Sequence, residues 1–115
     1  QLNDLRRAVL ELVREWWLPQ LHNPARLQSS EYQAYAVLTM CRALYTLQHG
    51  IVASKPVAAR LAQEALDERW AGLIEQALAW RPDAQLDNLT ETLDFIRHTL
   101  ERSQQFEALI YEQAR

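Results

Sequence analysis

Arg42 and Lys55 are the two residues whose type and placing suggest chemistry. Arg42 is the one formally charged residue between Glu31 and Lys55, inside the otherwise apolar or hydroxyl-bearing stretch Tyr35-Ala-Val-Leu-Thr-Met-Cys-Arg-Ala-Leu-Tyr-Thr-Leu47. A helix that is apolar nearly all round belongs in the middle of a bundle. An arginine on such a helix needs a partner, or a cavity that accepts an anion. Lys55, the only lysine in the chain, follows at the predicted start of the next helix, where free amide donors and the dipole favour negative charge. Arginine offers phosphate oxygens a planar fork, and lysine offers a mobile point charge. The pair predicts an anion site, with phosphate as the first candidate. A second arrangement stays open: Arg42 paired with a buried carboxylate, Glu31 or Asp94, and Lys55 simply solvated.

Other chemistry finds little footing. The chain has no Gly-rich phosphate loop, no His-Glu-x-x-His helix and no serine nucleophile elbow. His22, His49 and His98 fall on different segments, so no metal ligand set is predicted. The lone Cys41 lies in the apolar helix and is predicted to be an inert buried thiol. Trp16, Trp17, Trp70 and Trp80 recur at helical spacing, which ordinarily means core. Adjacent Trp16 and Trp17, however, point about 100° apart, so one of them should face a cleft. Asp87, Glu91, Asp94 and Glu101 form an acidic face that reads as solvated.

With 115 residues the chain is expected to be one domain, long enough to bury a core without disulfides or metal. A formal charge of −3 argues against general nucleic-acid binding, which needs a basic face. One cysteine permits no disulfide framework, which makes the cytoplasm the expected compartment. No apolar run reaches the roughly 20 residues of a membrane span, and the amphipathic N-terminus is no signal peptide. Gln1 is not a native start, so the chain is expected to be cut from something longer.

Elements that could hold the cations in place follow from the breakers. Glycine occurs only at positions 50 and 72 and proline only at 19, 24, 56 and 82, so the chain reads as all-α. Leu2, Leu5, Val9, Leu12, Val13, Trp16 and Trp17 recur at helical spacing and make a first, amphipathic helix; Pro19 disturbs its last turn, and His22-Asn23-Pro24 ends it. Ser30 with Gln33 reads as a capping box for the second helix, and Gly50 as its C′ residue. Ser54 caps a short third helix with Pro56 in its first turn. Asp67 caps a fourth, whose stripe runs from Trp70 to Ala77 and as far as Trp80. A last helix starts between Asp83 and Asn88. About five helices with short links make a compact bundle.

The segment Tyr35-Ala-Val-Leu-Thr-Met-Cys-Arg-Ala-Leu-Tyr-Thr-Leu-Gln-His-Gly50, the following Ser54-Lys55-Pro-Val-Ala-Ala59 and the fourth-helix ending Ala-Leu-Ala-Trp80 resemble one family. They are similar to the helical C-terminal domain of the streptomycin/spectinomycin adenylyltransferases, the aminoglycoside nucleotidyltransferases, most closely over residues 31 to 81. The resemblance implies that Arg42 and Lys55 contact the phosphates of ATP, and that Trp80 lies against the adenine. It implies an antibiotic wall built from Trp17 or Trp16 with Glu31 and Tyr32. It also implies an N-terminal nucleotidyltransferase domain as partner, with Mg2+ and a cationic aminoglycoside in the complete enzyme. The family's Gly-Ser motif, metal-binding aspartates and glutamate base have no counterpart in these residues. Taken alone, the chain is therefore expected to be inactive.

Two readings compete. Arg42 and His49 form an Arg-x6-His pattern similar to the ribonuclease signature of the HEPN helical domains, which implies a homodimer cleaving RNA by acid–base chemistry. The other is a non-catalytic interaction module whose pocket is filled by its own side chains.

Overall fold

Sparse breakers give long helices here. The computed structural model describes residues 2–84 and 87–113, and every regular element among them is helical. Helix α1 (Leu2–Leu12) runs through a π-helical turn, Val13–Trp17, into α2 (Leu18–His22) as one continuous rod. A 3-10 turn at Ala25–Gln28 leads to α3 (Ser30–His49), then come α4 (Lys55–Ala65), a 3-10 turn at Glu68–Trp70, α5 (Ala71–Leu78) and α6 (Leu89–Gln113). Five rods result, in agreement with the expected all-α bundle.

The breakers act where the sequence places them, with two differences. The N-cap of α3 is Ser29, whose Oγ accepts from Tyr32 N at 3.0 Å. Ser30 is already helical and its hydroxyl accepts instead from Trp80 Nε1 at 3.0 Å. Gln33 closes no capping box. It is buried, donates to Leu27 O at 2.7 Å, and accepts from Asn88 N at 2.8 Å, tying the 3-10 turn to the start of α6. Pro19 disturbs the first rod and His22-Asn23 ends it, as expected. The proline ring excludes the carbonyl four residues back, and the π turn just before it answers that constraint, with Leu18 N donating to Val13 O. Gly50 closes α3 as expected, at φ 73° and with its N–H on Thr46 O at 2.7 Å. Ser54 caps α4 through Val57 N, and Asp67 caps the 3-10 turn ahead of α5. Trp80 lies two residues beyond α5 and so outside that helix. Asp87 and Asn88 lead directly into α6; Gln85 and Leu86, within the predicted start region, lie outside the described residues.

Helix α3 is the axis of the molecule. Its Ala36, Val37, Met40, Cys41 and Leu44 are buried together with Ala58 and Ala59 of α4, Leu73 and Ile74 of α5, and Phe95 and Ile96 of α6. Alanines on α4 let that helix approach α3 closely while Val57 and Leu61 stay exposed. On the first rod Val13 and Trp17 join the core, but Leu5, Leu12 and Trp16 do not. One of the adjacent tryptophans was expected at the surface, and it is Trp16; Leu5 and Leu12, on the apolar stripe of the sequence, form one wall of a surface groove instead of joining the core. Arg6 fixes α1 against the end of α3 by donating to Leu47 O at 2.8 Å and Gln48 O at 3.0 Å, a cation on the carbonyl end of a helix. A second small cluster of Leu10, Leu47 and Ile110 anchors the far end of α6.

Candidate functional site

Arg42 and Lys55 come together at the groove between α1 and α3. The hollow measures about 350 Å³ and is walled by Leu5, Val9, Leu12 and Val13 on one side and by Tyr35, Thr39, Arg42 and Thr46 on the other. Lys55 and Val52, on and just before the first residue of α4, close its end. This size lies within the range of small-ligand sites. Among the described residues its only charged lining groups are the two cations, with no carboxylate.

Both cations are held by groups that leave their charge unneutralised. Arg42 is half-buried and donates through Nε to Ala53 O at 3.1 Å. That bond fastens the loop before α4, and with it the position of Lys55. Lys55 Nζ lies 4.6 Å from the centre of the Tyr35 ring, within cation–π range. Neither candidate carboxylate pairs with Arg42: Asp94 bridges Arg97 at 3.0 Å and Arg69 at 3.4 Å, and Glu31 is exposed. Among the described residues Arg42 and Lys55 form no ion pair.

An aromatic strip continues from the groove. Trp17, buried to 1% exposure, packs on Tyr35 at 6.1 Å and on Tyr32 at 5.9 Å, and the two tyrosine rings are 5.5 Å apart. Tyr32 Oη accepts from Trp16 Nε1 at 3.1 Å and from Gln20 Nε2 at 3.2 Å. Trp16 is exposed, with the Arg26 guanidinium over its ring at 4.9 Å. Ser29, Glu31, Tyr32 and Tyr35 line an open hollow of about 360 Å³ beside the groove. Of the adjacent tryptophans, Trp16 is therefore the one at the surface, while Trp17 backs the groove. Its indole N–H is buried with no hydrogen-bond partner among the described residues.

Six of the seven predicted site residues thus share one face: Arg42, Lys55, Trp17, Trp16, Glu31 and Tyr32. Trp80 does not join them. Its neighbours on α3 are Ser30, Gln33, Ala34 and Val37, beside a cavity of about 10 Å³, enough for roughly one water molecule. At 100° per residue these positions lie about 160° around α3 from Tyr35, Thr39, Arg42 and Thr46. Sequence reasoning missed Tyr35, which belongs to both hollows. Its spacing from Tyr32 and Arg42 puts it on their face of α3, but only the folded chain brings Lys55 to its ring.

Arg42 and His49 line different cavities. His49 is exposed and packs at a tilt on Tyr45 at 4.4 Å, in a cleft of about 250 Å³ between α3 and α4 that Cys41 and Glu64 also line. Cys41 is 1% exposed, and burial pushes its thiol up to about 12, which keeps it protonated and unreactive at neutral pH. No group of three or more His, Cys, Asp or Glu among the described residues could hold a metal ion.

The family of the aminoglycoside adenylyltransferase C-terminal domain matches residues 2–105. The chain belongs to that family. The match takes in all seven predicted site residues and stops inside α6, eight residues before the helix ends at Gln113. Comparisons with curated proteins and with solved structures gave no match. Within this adenylyltransferase C-terminal domain the α1–α3 groove and the hollow of the aromatic strip adjoin at Tyr35, which lines both. No helix of the described residues is long and apolar enough to cross a membrane.

Proposed function

We propose that this domain supplies the phosphate contacts and one wall of the acceptor cleft in an O-adenylyltransferase acting on a cationic aminoglycoside of the streptomycin/spectinomycin type. The observation that carries the reading is the groove itself: two cations, an apolar wall and no carboxylate in the lining. Partly buried charges without partners are costly, and an incoming triphosphate offsets that cost for both at once. The guanidinium, with Nε committed to Ala53 O, keeps its terminal nitrogens for phosphate oxygens. Lys55 adds its ammonium at the first turn of α4.

The neighbouring hollow suits the other substrate. Glu31 provides a carboxylate, and Tyr32, Tyr35 and Trp16 provide aromatic faces, a combination that favours cations. A phosphate-binding groove next to a cation-binding hollow brings nucleotide and acceptor side by side. The catalytic centre, with Mg2+ accompanying the ATP, belongs in this reading to a partner nucleotidyltransferase domain; the chain itself binds and orients. Trp80, on the opposite face of α3, has no part in the groove, so the adenine contact expected of it gains no support.

Lys55→Ala in the complete protein tests this. A lost charge-assisted contact of about 1.5–3 kcal/mol corresponds to a fall of roughly 10- to 150-fold in kcat/KM for ATP. The circular dichroism spectrum should stay unchanged. Unaltered ATP dependence would remove the phosphate role.

A further inference from the structure

We propose that Tyr35 is a positioning residue for Lys55, holding the ammonium on the groove wall by its ring and not by its hydroxyl. The inference rests on the phosphate reading of the groove and adds a residue that neither the sequence pattern nor the cation pair points to. Lys55 Nζ is 4.6 Å from the Tyr35 ring centre, and no carboxylate among the described residues competes for it. The ring is itself braced from behind by Trp17 at 6.1 Å and from the side by Tyr32 at 5.5 Å. Tyr35 Oη has no hydrogen bond among the described residues, so the face of the ring carries the contact.

A free lysine loses much rotamer freedom when it binds a phosphate. Tyr35 removes part of that loss beforehand, because the side chain is already confined to the groove. Cation–π attraction is weak enough to be given up to a phosphate oxygen, and it keeps the charge, unlike a carboxylate partner that would neutralise it. Preorganising one long side chain corresponds to roughly a threefold to tenfold gain in affinity.

Lys55 is the only lysine in the chain, so lysine labelled with 13C at Cε gives one methylene signal and reads this contact directly. In the wild-type chain the ring current of Tyr35 should hold that signal upfield of free lysine. Tyr35→Phe should leave it there, and Tyr35→Leu should return it to the free position; Tyr35 is 43% exposed, so neither change opens the core. The dissociation constant for magnesium-ATP, measured on the same chains, should rise threefold to tenfold in Tyr35→Leu and stay unchanged in Tyr35→Phe. An equal loss in both variants, or no loss in Tyr35→Leu, overturns the positioning role. A wild-type chain that ignores magnesium-ATP overturns it together with the phosphate reading. The lysine signal separates the two failures: in that last case an upfield position would leave a packing contact alone.

Discussion

Arg42 combines two tasks in one side chain. Its Nε on Ala53 O clamps the loop that leads to Lys55, while the side chain lines the groove wall. Charge alone therefore does not account for the choice of arginine. Arg42→Lys keeps the charge but cannot hold the carbonyl and present a planar fork together. That variant should lose about 1 kcal/mol of unfolding free energy in a denaturant titration and bind magnesium-ATP more weakly than wild type. Unchanged stability would mean that the loop is held by something other than this bond. That Arg42 and Lys55 share one groove was legible in the sequence as a question, because a charge inside an apolar helix is rare and demands a reason. Tyr35 was not legible, since its ring matters only once the loop after Gly50 has brought Lys55 back over it.

Single helices show where periodicity misleads. Leu5, Leu12 and Trp16 follow the same spacing as Val13 and Trp17, yet only the latter pair is core. The π turn at Val13–Trp17 inserts an extra residue into the repeat. No local residue pattern announces it beyond the proline that follows. The cap of α3 moved by one residue for a similar reason, as Ser30 is taken by Trp80 from α5's far end. On α6, His98 packs against Trp70 and Phe95, and its buried Nε2 has no hydrogen-bond partner among the described residues. Burial lowers its pKa, with Arg102 and Arg69 adding to the effect and Glu101 and Asp67 opposing it. The unfolded chain then takes up this proton first as pH falls. Stability should be full above the ordinary histidine value of about 6.5 and decline below it. Urea midpoints measured between pH 7.5 and 5 should show that slope, and His98→Gln should flatten it. A slope unchanged by the substitution would place the acid sensitivity elsewhere.

At the scale of the molecule, fold and site were legible to different depths. Two glycines, four prolines and a charge-poor central stretch were enough for an all-α bundle around α3, because breakers and burial act locally. The groove was not, since it depends on how α1 packs over α3, and that is fixed by distant contacts such as Arg6 on Leu47 O and Gln48 O. Arg42 and Trp80 lie on opposite faces of α3, so the two can be told apart in one experiment. Titrating the 15N-labelled chain with magnesium-ATP, followed by backbone amide and indole N–H signals, tests the central claim most directly. Saturable shifts at Arg42, Lys55, Tyr35 and the Trp17 indole, with the Trp80 indole unmoved, are the predicted result. Shifts confined to Trp80 and its neighbours on α3 and α6, or no shift through the millimolar range, would contradict the assignment of the groove as the phosphate site.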